Sequence, residues 1–279
     1  MKIVESKQGG VGRKIPSTYY LLHTTYFGLE RSLRIVVPLF FFSFSSLLLA
    51  QATFKDQQNM HANVMQARLN QAALIESLFA QAGIAYPSRG LVLVAYKLER
   101  VLEVWSRGDS SVAYAAVRTY PFTAYSGTLG PKRRQGDGQI PEGFYVISQF
   151  YPVSPFHLAM LVSYPNASDR ILGEGPNLGG DICIHGNRVT IGCIPIGDSG
   201  IEELYTMCVD QRSLGREIPV YIFPCRMDSA AMVELKALAA ANVVLYGFWE
   251  NLRQGYDRFV NSFQKLRYWV DEKGKYIFY

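Results

Sequence analysis

The sequence predicts a mainly β fold with α elements, and three observations carry that expectation. Between residues 91 and 223 the chain repeatedly offers short runs of Val, Ile, Leu, Tyr and Phe, residues that suit a pleated, half-buried surface. Segments rich in Gly, Pro, Ser and Asp separate these runs and turn the chain. Long helical patterns are confined to the flanks, at residues 57–82 and 229–266.

Residues 35–50 form an apolar run preceded by Arg31 and Arg34 and followed by the small-x-small site Ala50-Gln51-Ala52. A basic flank, an apolar stretch of this length and such a site read as a secretory signal, here with an extended leading segment at residues 1–30. An uncleaved anchor is the alternative, although the run is short for a membrane span and contains Pro38. The expected location is therefore the periplasm or cell envelope, with membrane contact only through such a segment. His23 falls in this region and receives no role.

Gln57 to Ala82 is predicted as one helix, with Val64, Leu69, Leu74, Ile75, Leu78 and Phe79 as a core-packing stripe and Gly83 as its stop. After Tyr86-Pro87, strands are expected at Leu91–Leu98, Val101–Trp105, Val112–Thr119 and Tyr145–Phe150, with residues 126–138 a loop by composition. His157–Tyr164 and Ile182–His185 continue the strand pattern. Asp198-Ser199 can cap a helix from Gly200 to Cys208, and Ile218–Phe223 is a strand ending at Pro224. Two helices then follow, Ser229–Ala241 and Asn242–Leu266, the second interrupted at Gly255. A hairpin pairs Arg267–Val270 with Lys275–Tyr279 across Asp271–Gly274. The implied organisation is a leader (1–52), an N-terminal helix (53–87), a catalytic domain (88–226) and a helical extension with hairpin packed beside it (227–279).

The formal net charge of +5 suits an anionic polymer or membrane surface but is too small to argue for nucleic acid. No basic run interleaves with aromatics in the manner of nucleic-acid readers. Mean hydropathy of +0.04 owes part of its value to the apolar run.

The chemistry concentrates in Ile184-His185-Gly186-Asn187-Arg188-Val189-Thr190-Ile191-Gly192-Cys193-Ile194-Pro195. A thiol attacks well only as thiolate, and an imidazole within hydrogen-bond reach is the usual means of making one near neutral pH. Gly192 allows a tight bend that aims amides around Cys193 at a developing oxyanion, and Thr190 adds a hydroxyl. The segment reads as a Cys/His acyl-transfer site. Two other readings compete with it: a buried, inert Cys193, or zinc held by Cys183, His185 and Cys193. Zinc ligands usually come as two close pairs, and no second pair exists, so neither metal nor cofactor is expected. Of the four cysteines, Cys208 and Cys225 could bridge in an oxidising compartment, a pairing the sequence leaves open. Cys183 lies two positions before His185 and so shares its face on a strand, either lining the site or packing inertly.

The segment resembles the active-site motif of the YkuD-type L,D-transpeptidases, His-Gly followed by Ser/Thr-x-Gly-Cys. Gln139-Ile140-Pro141-Glu142-Gly143-Phe144-Tyr145 resembles the family's Thr-Pro-x-Gly-x-Tyr/Phe element, and residues 98–105 resemble its opening hairpin. Phe156-His157-Leu158, Tyr164-Pro165-Asn166 and Phe248-Trp249-Glu250-Asn251-Leu252 are similar to a murein transpeptidase-like subgroup of Gram-negative bacteria, which shares the short His-to-Cys spacing. The chain departs from the family at Ile191, where many members carry histidine, and at Pro195, where many carry arginine.

The resemblance implies a β-sandwich or barrel catalytic domain with a helical C-terminal extension. It implies Cys193 as nucleophile, His185 as base, and Gly192, Gly186 and Thr190 as oxyanion and positioning residues. His157, Cys183, Asn187 and Arg188 are the candidates for facing substrate. The implied partners are donor and acceptor peptidoglycan stem peptides, joined by transpeptidation through a thioester. Hydrolysis by the same residues (of a stem, or of the link to a wall-bound protein) is the alternative. A non-catalytic wall-binding module is the reading from another class.

Overall fold

The computed structural model describes residues 52–109, 111 and 113–279; the expected leader up to Gln51 lies outside the described residues. Helices α1 (Phe54–Asn59) and α2 (Ala62–Gln81) precede strands β1 (Gly90–Tyr96), β2 (Val101–Arg107), β3 (Ala115–Pro121), β4 (Gly143–Ser154) and β5 (His157–Val162). Helix α3 (Ala167–Leu172), the short strands β6 (Cys183–His185) and β7 (Ile194–Pro195), and helix α4 (Asp198–Ser213) follow. Strand β8 (Pro219–Phe223), helices α5 (Ser229–Leu238) and α6 (Val243–Ser262), and the hairpin β9 (Tyr268–Val270) and β10 (Tyr276–Phe278) close the chain.

As expected, the architecture is sheet-dominated with several helices. Eight strands form one mixed sheet in the order β3-β2-β1-β8-β4-β5-β6-β7, and β9 and β10 pair separately. The long strand β4 joins the two halves. Its first residues pair with β8, and from Ile147 onward, through a register shift at Ile147/Gln149, it pairs with β5. Alternate residues of β1 serve two cores. Leu91, Leu93 and Ala95 pack with α2 and α4 on one face, whereas Val92, Val94 and Tyr96 pack with α6 and the hairpin on the other. Cover on both faces explains why the strand is continuously apolar instead of alternating. Among the described residues, no helix is long and apolar enough to cross a membrane.

Several expectations are corrected. The single helix at 57–82 is two helices: Thr53 and Asp56 form a reciprocal capping box on α1, and α2 restarts after Met60 and His61. The buried stripe of α2 is Val64, Ala67, Gln71, Ile75 and Phe79, while Leu69 and Leu74 are exposed because helical rotation carries them off that face. Asp198 is the first residue of α4 and not its cap, and the helix runs on to Ser213. Helix α6 passes through Gly255 without interruption, and Phe144 and Phe278 occupy the space a side chain there would need. The third strand begins at Ala115, and Val112 is outside the described residues. Strand β7 and helix α3 were not foreseen. Two residues hold no readable period, and α3 depends on an Asn166–Asp169 capping box. Cys208 and Cys225 are free thiols buried in the two different cores, too separated by the sheet to bridge.

Candidate active site

Strands β6 and β7 run parallel, with Ile184 opposite Ile194 and His185 opposite Pro195. Ile184 and Ile194 are both fully buried in the core beneath. By alternation Cys183 and His185 belong to the other face of β6, and Cys193 directly precedes the first residue of β7.

The imidazole is tightly held. His185 is 1% exposed. Its Nδ1–H donates to the Gly186 carbonyl at 2.6 Å, which leaves Nε2 unprotonated and free to accept. The Phe156 ring lies against the imidazole with centroids 4.6 Å apart. Burial pushes the His185 pKa below its ordinary value, opposed by the carbonyl at Nδ1. Gly186 is required here by close approach: a Cβ would meet Asp198 Oδ1 at 2.6 Å and the Phe156 carbonyl at 2.7 Å.

The thiol is positioned by its own loop. Thr190 Oγ1 donates to the Cys193 carbonyl at 2.9 Å and accepts from the Gly192 N–H at 3.1 Å. Thr190 therefore braces the turn that carries Cys193. The Gly192 N–H is engaged within that turn. Gly192 sits at φ +134°, and a Cβ there would come within 2.9 Å of the Gln139 carbonyl.

In the resting state Cys193 Sγ donates to the Asp181 carbonyl at 3.4 Å and accepts the Cys183 N–H at 3.4 Å. Among the described residues it makes no hydrogen bond to His185. Burial raises the Cys193 pKa, with the Cys183 N–H and Lys132 opposing and Asp181 adding to the rise. Burial also pushes Cys183 up to about 12, with Cys193 and Asp181 contributing. Both shifts favour the neutral forms, imidazole and thiol. Catalytic hydrogen bonds of unliganded sites commonly tighten only when substrate binds.

The other predicted residues fall elsewhere. His157 Nε2 pairs with Glu202 Oε1 of α4 at 2.9 Å, so it is a hydrogen-bonded strand histidine. Asn187 is a turn residue at φ +62°: its N–H donates to Asp198 Oδ1 and its carbonyl accepts from Thr123 Oγ1, both at 2.7 Å. Arg188 is exposed at the loop tip, and its N–H is held by Asn187 Oδ1 at 2.6 Å. Sequence reasoning missed the contacts of Phe156, Asp198, Gln139 and Asp181. Asp198 was legible as a helix-start residue, but its acceptor role toward the His185 loop is a tertiary contact with no local signal. A cavity of about 500 Å³ between Arg133, Leu172 and Phe248 includes neither Cys193 nor His185 in its lining. Among the described residues no group of three or more His, Cys, Asp or Glu converges as a metal set.

The sequence model of the L,D-transpeptidase catalytic domain (YkuD) matches residues 90–222. The Escherichia coli (strain K12) protein YafK, provisionally named an L,D-transpeptidase, is 37% identical over 168 residues, covering 59% of this chain and 64% of the relative. The chain thus spans somewhat under two thirds of the length of the curated relatives it matches. Among solved structures, the helical cell shape determining protein Pgp2 from Campylobacter jejuni is similar at 18% identity and a TM-score of 0.41, covering 70% of this chain and 80% of that one. Bd1075 from Bdellovibrio bacteriovorus is similar at 22% identity and a TM-score of 0.36, covering 64% and 72% respectively. Residues 90–222 thus match the L,D-transpeptidase (YkuD) catalytic domain, and the chain is similar to YafK over much of that protein's length.

Proposed function

We propose that this protein is a cysteine acyltransferase acting on peptidoglycan stem peptides in the cell envelope, with Cys193 as nucleophile and His185 as general base. The observation that carries the reading is the Nδ1–H bond from His185 to the Gly186 carbonyl, which fixes the tautomer a base needs. Substrate binding turns the thiol from the Asp181 carbonyl toward Nε2. His185 takes the proton as sulfur attacks the carbonyl joining an L-centre to a D-residue. The Cys193 N–H faces the oxyanion, and the imidazolium returns its proton to the departing amine. The thioester then passes to an amine of a second stem, giving a crosslink.

Disaccharide-tetrapeptides incubated with the purified protein test this by product mass. Dimers, abolished in Cys193→Ala, are expected. A shortened monomer without dimers would replace transfer by hydrolysis at the same residues. A Cys193→Ala protein as active as the parent would remove the thiol from the mechanism, and intact substrate that still binds would make the domain a wall-binding module.

A further inference from the structure

Cys183 has no part in the acyl-transfer step as a thiol, yet its placement is unusual. It immediately precedes Ile184 on β6 as Cys193 precedes Ile194 on β7, and Ile184 and Ile194 are paired in register. Both isoleucines point into the core, so Cys183 belongs to the opposite face of β6. Adjacent strands lie about 4.8 Å apart, inside the about 4.4–6.8 Å window of Cα separations that a disulfide bridges. The Cys193 Sγ already lies 3.4 Å from the Cys183 backbone nitrogen. Both thiols are free and neither is fully buried.

We infer that Cys183 and Cys193 are a reversible thiol pair, able to close a disulfide that withdraws Cys193 when a peroxide reaches the site. In the first step the Cys193 thiolate attacks hydrogen peroxide, the O–O bond breaks, and a sulfenic acid forms with release of hydroxide, which becomes water on taking a proton. In the second, Cys183 sulfur attacks the Cys193 sulfur, the S–O bond breaks, and the Cys183 proton leaves with the hydroxyl as a second water. Two thiols supply the two electrons that reduce one peroxide. The order follows from the surroundings: burial raises both thiols, but at Cys193 the Cys183 N–H and Lys132 oppose the rise, whereas at Cys183 the neighbouring Cys193 and Asp181 add to it and carry it up to about 12. The bridge protects the sulfur, because a sulfenic acid without a partner goes on to sulfinic acid, which ordinary thiols do not reverse. That the sulfur so protected is catalytic rests on the proposed function; that the two thiols pair does not.

The test uses the purified full chain, exposed to graded hydrogen peroxide, blocked with iodoacetamide and digested with trypsin, which cuts after Arg188 between the two cysteines. The expected result is one cross-linked peptide pair joining Cys183 to Cys193, with joint loss of alkylation at both and full recovery after dithiothreitol. In Cys183→Ser the same exposure is expected to drive Cys193 to sulfinic acid, with alkylation not recovered by dithiothreitol. Sulfinic acid on Cys193 of the parent protein while Cys183 stays alkylatable would overturn the inference. So would a peroxide-treated parent in which both remain alkylatable, or a Cys183→Ser protein as fully recoverable as the parent. If the link forms but stem peptides are never processed, the enzymatic reading falls and the thiol pair stands.

Discussion

Thr190 shows how a side chain beside the proposed nucleophile can act through the backbone of its turn. Its hydroxyl spans the turn, donating to the Cys193 carbonyl and accepting from the Gly192 amide. Thr190→Val keeps the shape and removes both bonds. Each is worth about 1 kcal/mol net, so stability should fall by roughly 1–2 kcal/mol in urea unfolding, with kcat falling and KM little changed. An unchanged kcat would show that the turn holds without the hydroxyl. The electrostatics make a second prediction. A buried His185 with a lowered pKa stays neutral, and so able to accept a proton, down to more acid pH than a free imidazole. The acid limb of the kcat/KM profile should therefore have its midpoint below 6.5, the ordinary value. Because the Cys193 pKa is raised above its ordinary 9.0, its iodoacetamide labelling without substrate should keep climbing through that pH. A labelling plateau near neutrality would instead indicate a standing thiolate–imidazolium pair. The motif was legible because His185, Gly186, Thr190, Gly192 and Cys193 lie in one short segment where spacing alone speaks. Phe156 and Asp198, which also shape the segment, come from other elements and leave no local trace.

Glycine at the element scale misled the sequence reading, for a reason that can be measured. A glycine inside a helical pattern usually weakens or breaks the helix. Gly255 does neither, since an added Cβ would lie 2.5 Å from Phe144 Cζ and 2.7 Å from Phe278 Cζ. It is a contact surface for two rings that fix α6 and the hairpin to the sheet. Gly247, in the same helix, has nothing within 4 Å of its added Cβ. The two alanine variants should therefore move in opposite directions. Gly247→Ala should stabilise by up to about 1 kcal/mol from propensity, whereas Gly255→Ala should destabilise by about 1–3 kcal/mol through overpacking. Equal changes in denaturant midpoint would refute the packing role. The same logic sorts what was readable among the elements. Strands β1 and β2 declared themselves through unbroken β-formers, because the sheet is covered on both faces. Leu69 and Leu74 looked like core in composition, but α2 turns them to solvent, so burial followed helical phase and not hydrophobicity.

Across the whole molecule, one buried ion pair fastens the active-site surroundings to both cores. Lys97 and Glu142 have fully buried side chains, with Lys97 Nζ 2.9 Å from Glu142 Oε1. Lys97 also donates to the carbonyls of Gly130 and Ile140, at 2.6 and 2.9 Å. Glu142 accepts from the Gly130 N–H at 2.7 Å and from Trp249 Nε1 of α6 at 2.8 Å. The cluster thus ties the end of β1, the loop carrying Gln139 and the C-terminal helix into one unit, and the Gln139 carbonyl is the group against which Gly192 packs. Glu142 and Trp249 both stood in recognisable motifs, but their partner Lys97 is remote in sequence, so their junction could not be read from spacing. Removing one charge leaves the other buried and uncompensated, which typically costs about 3–5 kcal/mol. Lys97→Met should therefore lose that much in urea unfolding and also slow labelling of Cys193, as the loop behind Gly192 shifts. Adding Glu142→Gln removes the stranded charge and should return part of the lost stability, so the double variant should be less impaired than the sum of the singles. Strict additivity would mean that the two side chains do not sense each other, and the link from the buried pair to the thiol would fail with it.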